Sequence, residues 1–214
     1  DRMREALDER TLLVSVMLAQ NETGVLHPVA QIAEMAHARG AHMHVDAVQA
    51  AGKVPLSQRD LGADFLTISG HKYHAPKGIG ALTIRRGLSL QPLWYGGGQE
   101  LGIRSGTEAV PSIVGLAAAS RLAREALTNY ASVRALRDRL ESQILARVEE
   151  TSVNGSTQPR IGNTANISFH DAHADEIGRA LPNRHIGHDG HPEVRLHCRL
   201  QRFDRAELHR WTRQ

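Results

Sequence analysis

The sequence predicts an α/β protein with a mostly parallel sheet covered by helices on both faces. Two observations carry this expectation. Short apolar runs at 12–18, 43–46, 65–68 and 79–84 alternate with helical or looping stretches, a rhythm that favours parallel strands joined by crossovers. Polar residues then gather just past these runs, at Asn21, Asp46, Gln49, Ser69, His71 and Lys72, where open α/β sheets collect ligand contacts.

The elements follow in order. Residues 1–9 carry a short helical pattern, and 12–18 reads as a buried-type strand. A loop at 19–24 leads to Pro28, well placed in the first turn of a helix. That helix runs to about Arg39 and stops at Gly40. The strand at 43–46 is followed by a turn through Gly52 and Pro55, then by strands at 65–68 and 79–84. From about 111 to 148 the chain is rich in Ala, Leu, Arg and Glu, and reads as two helices divided near Thr128-Asn129-Tyr130. Residues 151–162 read as a loop, with Asn154-Gly155 and Pro159 as turn signals. A strand at 165–169 and a helix at 174–181 would open a second α/β subdomain.

Composition narrows the function classes. With 214 residues, 41% of them hydrophobic, the chain can bury one large core or two small ones. No stretch approaches the roughly 20 apolar residues of a membrane span. The opening Asp1-Arg2-Met3-Arg4-Glu5 has no apolar signal core. A lone cysteine, Cys198, cannot form an internal disulfide and suits a reducing compartment, so a cytoplasmic protein is expected. The net charge is only +3, and Arg134, Arg137, Arg139 and Arg147 fit a solvated helix face. No aromatics interleave with them, so neither nucleic acid nor membrane is an expected partner. Around Ile113, the apolar Val114, Leu116 and Leu122 suit a core or a dimer interface.

The chemistry centres on Asp46 and Lys72. A carboxylate ending one strand and an amine just past a later one form the pairing that pyridoxal phosphate (PLP) requires. The amine condenses with the cofactor aldehyde, and the carboxylate keeps the pyridine nitrogen protonated, so the ring accepts electrons from the substrate α-carbon. Only Lys53, Lys72 and Lys77 are lysines among the 26 Lys and Arg residues, so few amines compete for that bond. Ser69 and His71 suit a phosphate through hydroxyl and imidazole hydrogen bonds. Gln49, three residues past Asp46, and Asn21 suit the phenolic oxygen. The run Gly96-Gly97-Gly98 permits close backbone approach, and Thr107 is a donor for a phosphate. Arg104 fits either a loop-holding or an ion-pairing role. The plainer alternative for the central pair is a surface lysine and a helix-capping aspartate.

Four segments together resemble a known family. They are Gln20-Asn21-Glu22-Thr23-Gly24, His44-Val45-Asp46-Ala47-Val48-Gln49, Ser69-Gly70-His71-Lys72 with Pro76-Lys77-Gly78-Ile79-Gly80-Ala81-Leu82, and the stretch 96–107. In order and spacing they are similar to cysteine desulfurases of the NifS/IscS type, in the class V aminotransferase group with PLP fold type I. The resemblance covers about residues 10–120 and continues more weakly to about Ile186. It implies an enzyme that binds L-cysteine on PLP, releases alanine and leaves sulfur as a persulfide. An acceptor or scaffold protein would then take the sulfur for iron–sulfur clusters or thiolation.

The roles implied by the resemblance fall on matching positions. Lys72 would be the catalytic lysine and Asp46 the partner of the pyridine nitrogen. Gln49 and Asn21 would touch the phenolic oxygen side, and Ser69 and His71 the phosphate. Thr107 would reach the phosphate of a neighbouring subunit, which implies a homodimer. Residues 1–120 would form the central part of an incomplete PLP-binding large domain. Residues 121–214 would hold connecting helices and part of a small α/β C-terminal domain with an atypical tail.

The ends depart from the family. The sequence opens at the helix before the 12–18 strand, without counterparts to the family's glycine-rich phosphate turn and ring-stacking histidine, so weak PLP binding is expected. After Ile186-Gly187 the family carries a loop with its nucleophilic cysteine and then a carboxylate-holding arginine. Here the sequence reads His188-Asp189-Gly190-His191-Pro192-Glu193, and Cys198 fits a fortuitous thiol better than a sulfur acceptor. His185, His188, His191, His197 and Cys198 match no common zinc spacing, and no metal is expected. Two alternatives remain open: another class V enzyme, such as a selenocysteine lyase or aminotransferase, and a non-catalytic remnant that dimerises or binds a scaffold.

Overall fold

A computed structural model describes residues 2–170 and the backbone of 195–198. The helix expected at 174–181, with His185, Ile186, His188 and His191, lies outside the described residues. The chain divides into two compact units, one of residues 1–20 and 26–128, the other of 21–25 and 129–214.

The first unit is built on a four-stranded sheet in the order β1 (Leu13–Met17), β2 (His42–Asp46), β3 (Phe65–Ser69), β4 (Gly80–Ile84). β1, β2 and β3 run parallel, and β4 closes the edge antiparallel, so the sheet is mostly parallel as expected. The register pairs Met17 with Asp46 and Asp46 with Thr67, which aligns three strand ends on one rim. Alternation puts Val14, Met43, Val45 and Leu66 on one face, and all four are buried. Met43 and Val45 are fully enclosed, each worth about 1.5–3 kcal/mol of burial.

α1 (Arg2–Ala6) is shorter than expected, because Asp8 and Thr11 form a turn in which each backbone N–H bonds the other residue. α2 (Val29–His37) follows Pro28, buries Val29, Ile32, Ala33 and Ala36, and lies against β1 and β2. Gly40, at φ +75°, ends that helical segment. α3 (Val110–Ala126) contributes Leu116, Ala119 and Ala123 to a second cluster with Ala51, Tyr73 and Ala75. Leu116 is therefore core, whereas Val114 and Leu122 are exposed.

The second unit holds α4 (Tyr130–Arg147) and a sheet in the order β5 (Thr151–Val153), β6 (Thr164–Phe169), β7 (Arg195–Cys198). A short 3-10 turn, Leu127–Asn129, separates α3 from α4 near the expected break. Two expectations need correction here. Residues 151–162 are not wholly a loop, since β5 pairs antiparallel with β6; three residues are too few to show a period. Arg137 is not on a solvated face: it is 5% exposed and donates to the carbonyls of Ile161 and Thr164. Arg134, Arg139 and Arg147 are exposed.

Candidate active site

The rim formed by the ends of β2 and β3 carries the central pair. Asp46 is the last residue of β2. Its backbone is fixed by neighbours on both sides: the Leu18 N–H donates to the Asp46 carbonyl at 2.8 Å, and the Ala47 N–H to the Thr67 carbonyl at 2.9 Å. Its Oδ1 accepts from the Val48 N–H at 2.9 Å, so the turn-capping role is real, and the carboxylate is thereby oriented. No hydrogen bond or ion pair takes its Oδ2 among the described residues.

Lys72 lies in a 3-10 turn, Gly70–Tyr73, directly after β3. The turn is anchored at both ends. Gly70 is buried where a Cβ would come within 2.8 Å of Ala75 and 3.0 Å of Ile79 and Leu116, so only glycine fits. Tyr73 is buried in the α3 cluster, with its hydroxyl 3.4 Å from Ser120 Oγ. His74 then takes a left-handed φ of 70°, a conformation costly for a residue with a side chain. Between these anchors Lys72 is half-buried, and its amine has no hydrogen bond or ion pair among the described residues.

The other expected contacts are placed as follows. Ser69 ends β3 on the same sheet face as Thr67 and its register partner Asp46, because the side-chain period is two. Ser69 Oγ lies 2.9 Å from Nδ1 of exposed His71. Gln49 sits in the turn after β2, where its Oε1 and backbone carbonyl accept from the Lys53 amine at 3.2 and 2.9 Å; its amide N–H₂ remains a donor. Thr107 is exposed in the segment before α3. Asn21 is exposed and belongs to the second unit.

The glycine-rich stretch is irregular. Glu100 and Leu101 both have positive φ, 49° and 58°. Gln99 Oε1 accepts from the Gly106 N–H at 3.2 Å, and Ser105 Oγ donates to the Trp94 carbonyl at 3.1 Å. Arg104 stacks its guanidinium 4.8 Å from the Trp94 ring, which is the loop-holding alternative for that residue.

Sequence reasoning missed one polar row beside the pair. Ser15 Oγ lies 2.7 Å from His44 Nδ1, and Thr67 Oγ1 lies 3.2 Å from His44 Nε2, bridging β1, β2 and β3 on the face that carries Asp46. The signal was available, since His44 and Asp46 are two apart on one strand, but its partners come from other strands.

The residues present fit PLP by the chemistry of the donor set. An unpaired, half-buried amine and a carboxylate with one free oxygen stand at neighbouring strand exits, and the Ser69 hydroxyl and His71 imidazole come from the same β3 exit as Lys72. Among the described residues, no group of three His, Cys, Asp or Glu side chains could hold a metal ion.

The mostly parallel α/β sheet, with a lysine past one strand and an aspartate ending its neighbour, matches the architecture of PLP fold type I. The Aminotransferase class-V profile matches residues 1–203, and the chain belongs to that family, whose cofactor is PLP. Within it, the chain is 52% identical over 170 residues to a cysteine desulfurase of Gluconacetobacter diazotrophicus, covering 79% of this chain and 42% of the relative. A solved NifS-like protein of Rickettsia africae matches with TM-score 0.76 at 33% identity, over 82% of this chain and 49% of that one. The structure of SspA in complex with cysteine matches with TM-score 0.68 at 33% identity, over 84% and 49%. The chain thus spans less than half the length of these proteins.

Proposed function

We propose that this chain is the central, cofactor-holding part of a cysteine desulfurase that releases L-alanine from L-cysteine. The observation that carries this reading is the unpaired, half-buried Lys72 amine at the exit of β3, on the rim that Asp46 shares. When bound, PLP draws electrons from the α-carbon of an amino acid and weakens the bonds around it. The Asp46 carboxylate, oriented by the Val48 N–H, would keep the ring nitrogen protonated. Lys72 would hold the cofactor through its aldehyde with loss of water, and its amine would carry a proton at the substrate α-carbon. Ser69 and His71 would hold the phosphate and Gln49 would donate to the phenolic oxygen; for Asn21 that role is what the family resemblance implies. The desulfurase identity rests on 52% identity to a relative named for that activity.

The finer parts of the proposal are a homodimer, a sulfur-accepting or iron–sulfur scaffold protein as partner, and a cytoplasmic setting. The homodimer is supported by apolar surface on the first unit: Leu93, Tyr95 and Leu101 are 84%, 81% and 97% exposed. Thr107 follows this patch and would supply a phosphate donor to the second copy. No helix among the described residues is long and apolar enough to cross a membrane.

The test is optical and then chemical. Purified chain titrated with PLP develops the yellow absorbance of lysine-bound cofactor, and Lys72→Ala removes it. With a thiol reductant added to release transferred sulfur as sulfide, little or no alanine and sulfide is expected to form from L-cysteine with this chain. Absence of the band at saturating cofactor, or a band that survives Lys72→Ala, overturns the assignment.

A further inference from the structure

The turn after β2 is helical in its bonding. The Ala50 and Ala51 N–H groups donate to the Ala47 carbonyl at 3.0 and 2.9 Å, and the Lys53 and Val54 N–H groups to the Ala50 carbonyl at 3.0 and 3.1 Å. Helical spacing divides its side chains between two stripes. Ala47, Ala50 and Ala51 are buried on one of them. Gln49 and Lys53, four positions apart, share the other and are half-buried. Gly52 seats the turn: at φ +74° its absent Cβ would come within 2.9 Å of the Tyr73 Cβ and 3.2 Å of the Ala123 Cβ. Ala51 belongs to the cluster that also holds Tyr73, so the turn carrying Gln49 and the turn carrying Lys72 rest on one core.

Lys53 reaches back along the outer stripe. Its Nζ donates to the Gln49 carbonyl at 2.9 Å and to Gln49 Oε1 at 3.2 Å. A lysine ammonium carries donors only, so the amide atom that faces it must be the oxygen. The amide nitrogen is thereby turned away from Lys53, with its N–H₂ as donor. A flipped amide would set N–H₂ against an ammonium and lose a charge-assisted bond, the stronger kind. The bond to the backbone carbonyl anchors the ammonium, so the amide is oriented against a fixed charge. Gln49 therefore presents a donor, and the phenolic oxygen of PLP is an acceptor.

We infer that Lys53 is a positioning residue: it fixes the Gln49 amide so that its nitrogen, not its oxygen, meets the phenolic oxygen of the cofactor. This rests on the proposed reading of Gln49 as the donor to that oxygen. Lys53 touches no ligand itself. Its two bonds to Gln49 also set its amine apart from that of Lys72, which is left to hold the cofactor aldehyde.

The experiment titrates the full chain with PLP and with its 3-deoxy analogue, which lacks the phenolic oxygen. Lys53→Met keeps the apolar stem and removes the donors; Lys53→Gln, which loses the charge and the reach, serves if that variant does not fold. Either variant raises the PLP dissociation constant about fivefold, the scale of one lost hydrogen bond, and leaves that of the 3-deoxy analogue unchanged. Lys53→Arg, which keeps a cationic donor, restores most of the PLP affinity. In a Gln49→Ala background, Lys53→Met adds little further loss, because both act through one contact. The yellow band persists in Lys53→Met, since Lys72 carries it.

A merely structural role would weaken both ligands alike, so equal losses for PLP and the 3-deoxy analogue overturn the inference. Full additivity with Gln49→Ala does the same, as does loss of the band in Lys53→Met at saturating PLP. A cofactor-free readout separates this inference from the functional reading beneath it. The Gln49 side-chain amide, identified by its absence in Gln49→Ala, gives the nitrogen-15 heteronuclear NOE of an ordered group in wild-type chain and of a mobile one in Lys53→Met. If wild-type chain binds neither ligand, the functional reading fails, and the NOE alone decides whether Lys53 holds Gln49. Equal NOE values in the two chains overturn that hold as well.

Discussion

At the scale of single residues, Asp64 shows how a buried charge is kept. It is 1% exposed, yet its carboxylate accepts from the Met43 N–H at 2.9 Å, Arg85 Nε at 2.5 Å and His37 Nε2 at 3.0 Å, with His42 Nδ1 at 3.4 Å. Burial pushes its pKa up, but the Met43 N–H, Arg85 and His37 together outweigh that and lower it from 3.8 to about 2. A depressed carboxyl contributes stability above its unfolded value, and this is lost as pH falls from about 4 toward 2. The contribution at neutral pH is on the order of 2 kcal/mol. Asp64→Asn is expected to lower stability at pH 7 by about that amount and to remove most of its loss between pH 4 and 2. Urea unfolding at several pH values checks it. An acid limb as steep as that of the wild type would assign the dependence to other carboxylates.

At the scale of elements, α4 combines a legible helix with an illegible interior. Its Ala, Leu, Arg and Glu content marks a helix, and the break before Tyr130 is visible in Thr128-Asn129. Which charges turn inward is not visible, because their partners are distant in sequence. Glu141 is buried and accepts two bonds of 2.7 Å from Arg160, nineteen positions on. Tyr130, at the start of α4, has its pKa raised by burial despite the opposing charge of Arg137, and its buried hydroxyl has no hydrogen-bond partner among the described residues. β5 was hidden for a related reason, since only its pairing with β6 makes it a strand. The parallel strands β1, β2 and β3 were readable as short apolar, β-branched runs. The expected cover on both faces is not seen among the described residues: the face of Val14, Met43, Val45 and Leu66 is buried, whereas Leu13 and Met17 on the other are exposed. Lys72 and Asp46 were readable because each follows or ends its own run. The bond from Asn166 Nδ2 to the Glu22 carbonyl was not, because it spans 144 positions. Glu141→Ala is expected to destabilise by about 3–5 kcal/mol, leaving Arg160 buried and unpaired. The double variant Glu141→Leu with Arg160→Met, which removes both charges, costs much less, and thermal unfolding distinguishes the two. Equal losses would show that packing rather than charge pairing governs the site.

At the scale of the whole molecule, the apolar patch of the first unit and the proposed site make one linked expectation. Leu93, Trp94, Tyr95 and Leu101 lie in the glycine-rich stretch, and exposed Val110 and Val114 follow on α3. Exposed large apolar side chains in this number suit an interface, and a twofold dimer would bury the same residues on both copies. Thr107 stands between the two groups of residues, so association would bring a phosphate donor to the second copy. Dimer formation and PLP binding are then thermodynamically linked, and each must strengthen the other. Sedimentation is expected to show a dimer that PLP stabilises, with the apparent PLP dissociation constant falling as protein concentration rises. Leu101→Glu combined with Val114→Glu gives a monomer with weaker PLP binding. Thr107→Ala, which removes a hydroxyl and leaves the apolar patch intact, weakens PLP binding by about fivefold while the dimer persists without cofactor. A monomeric wild type, or PLP affinity independent of protein concentration, would break the link and place the whole phosphate site within one copy.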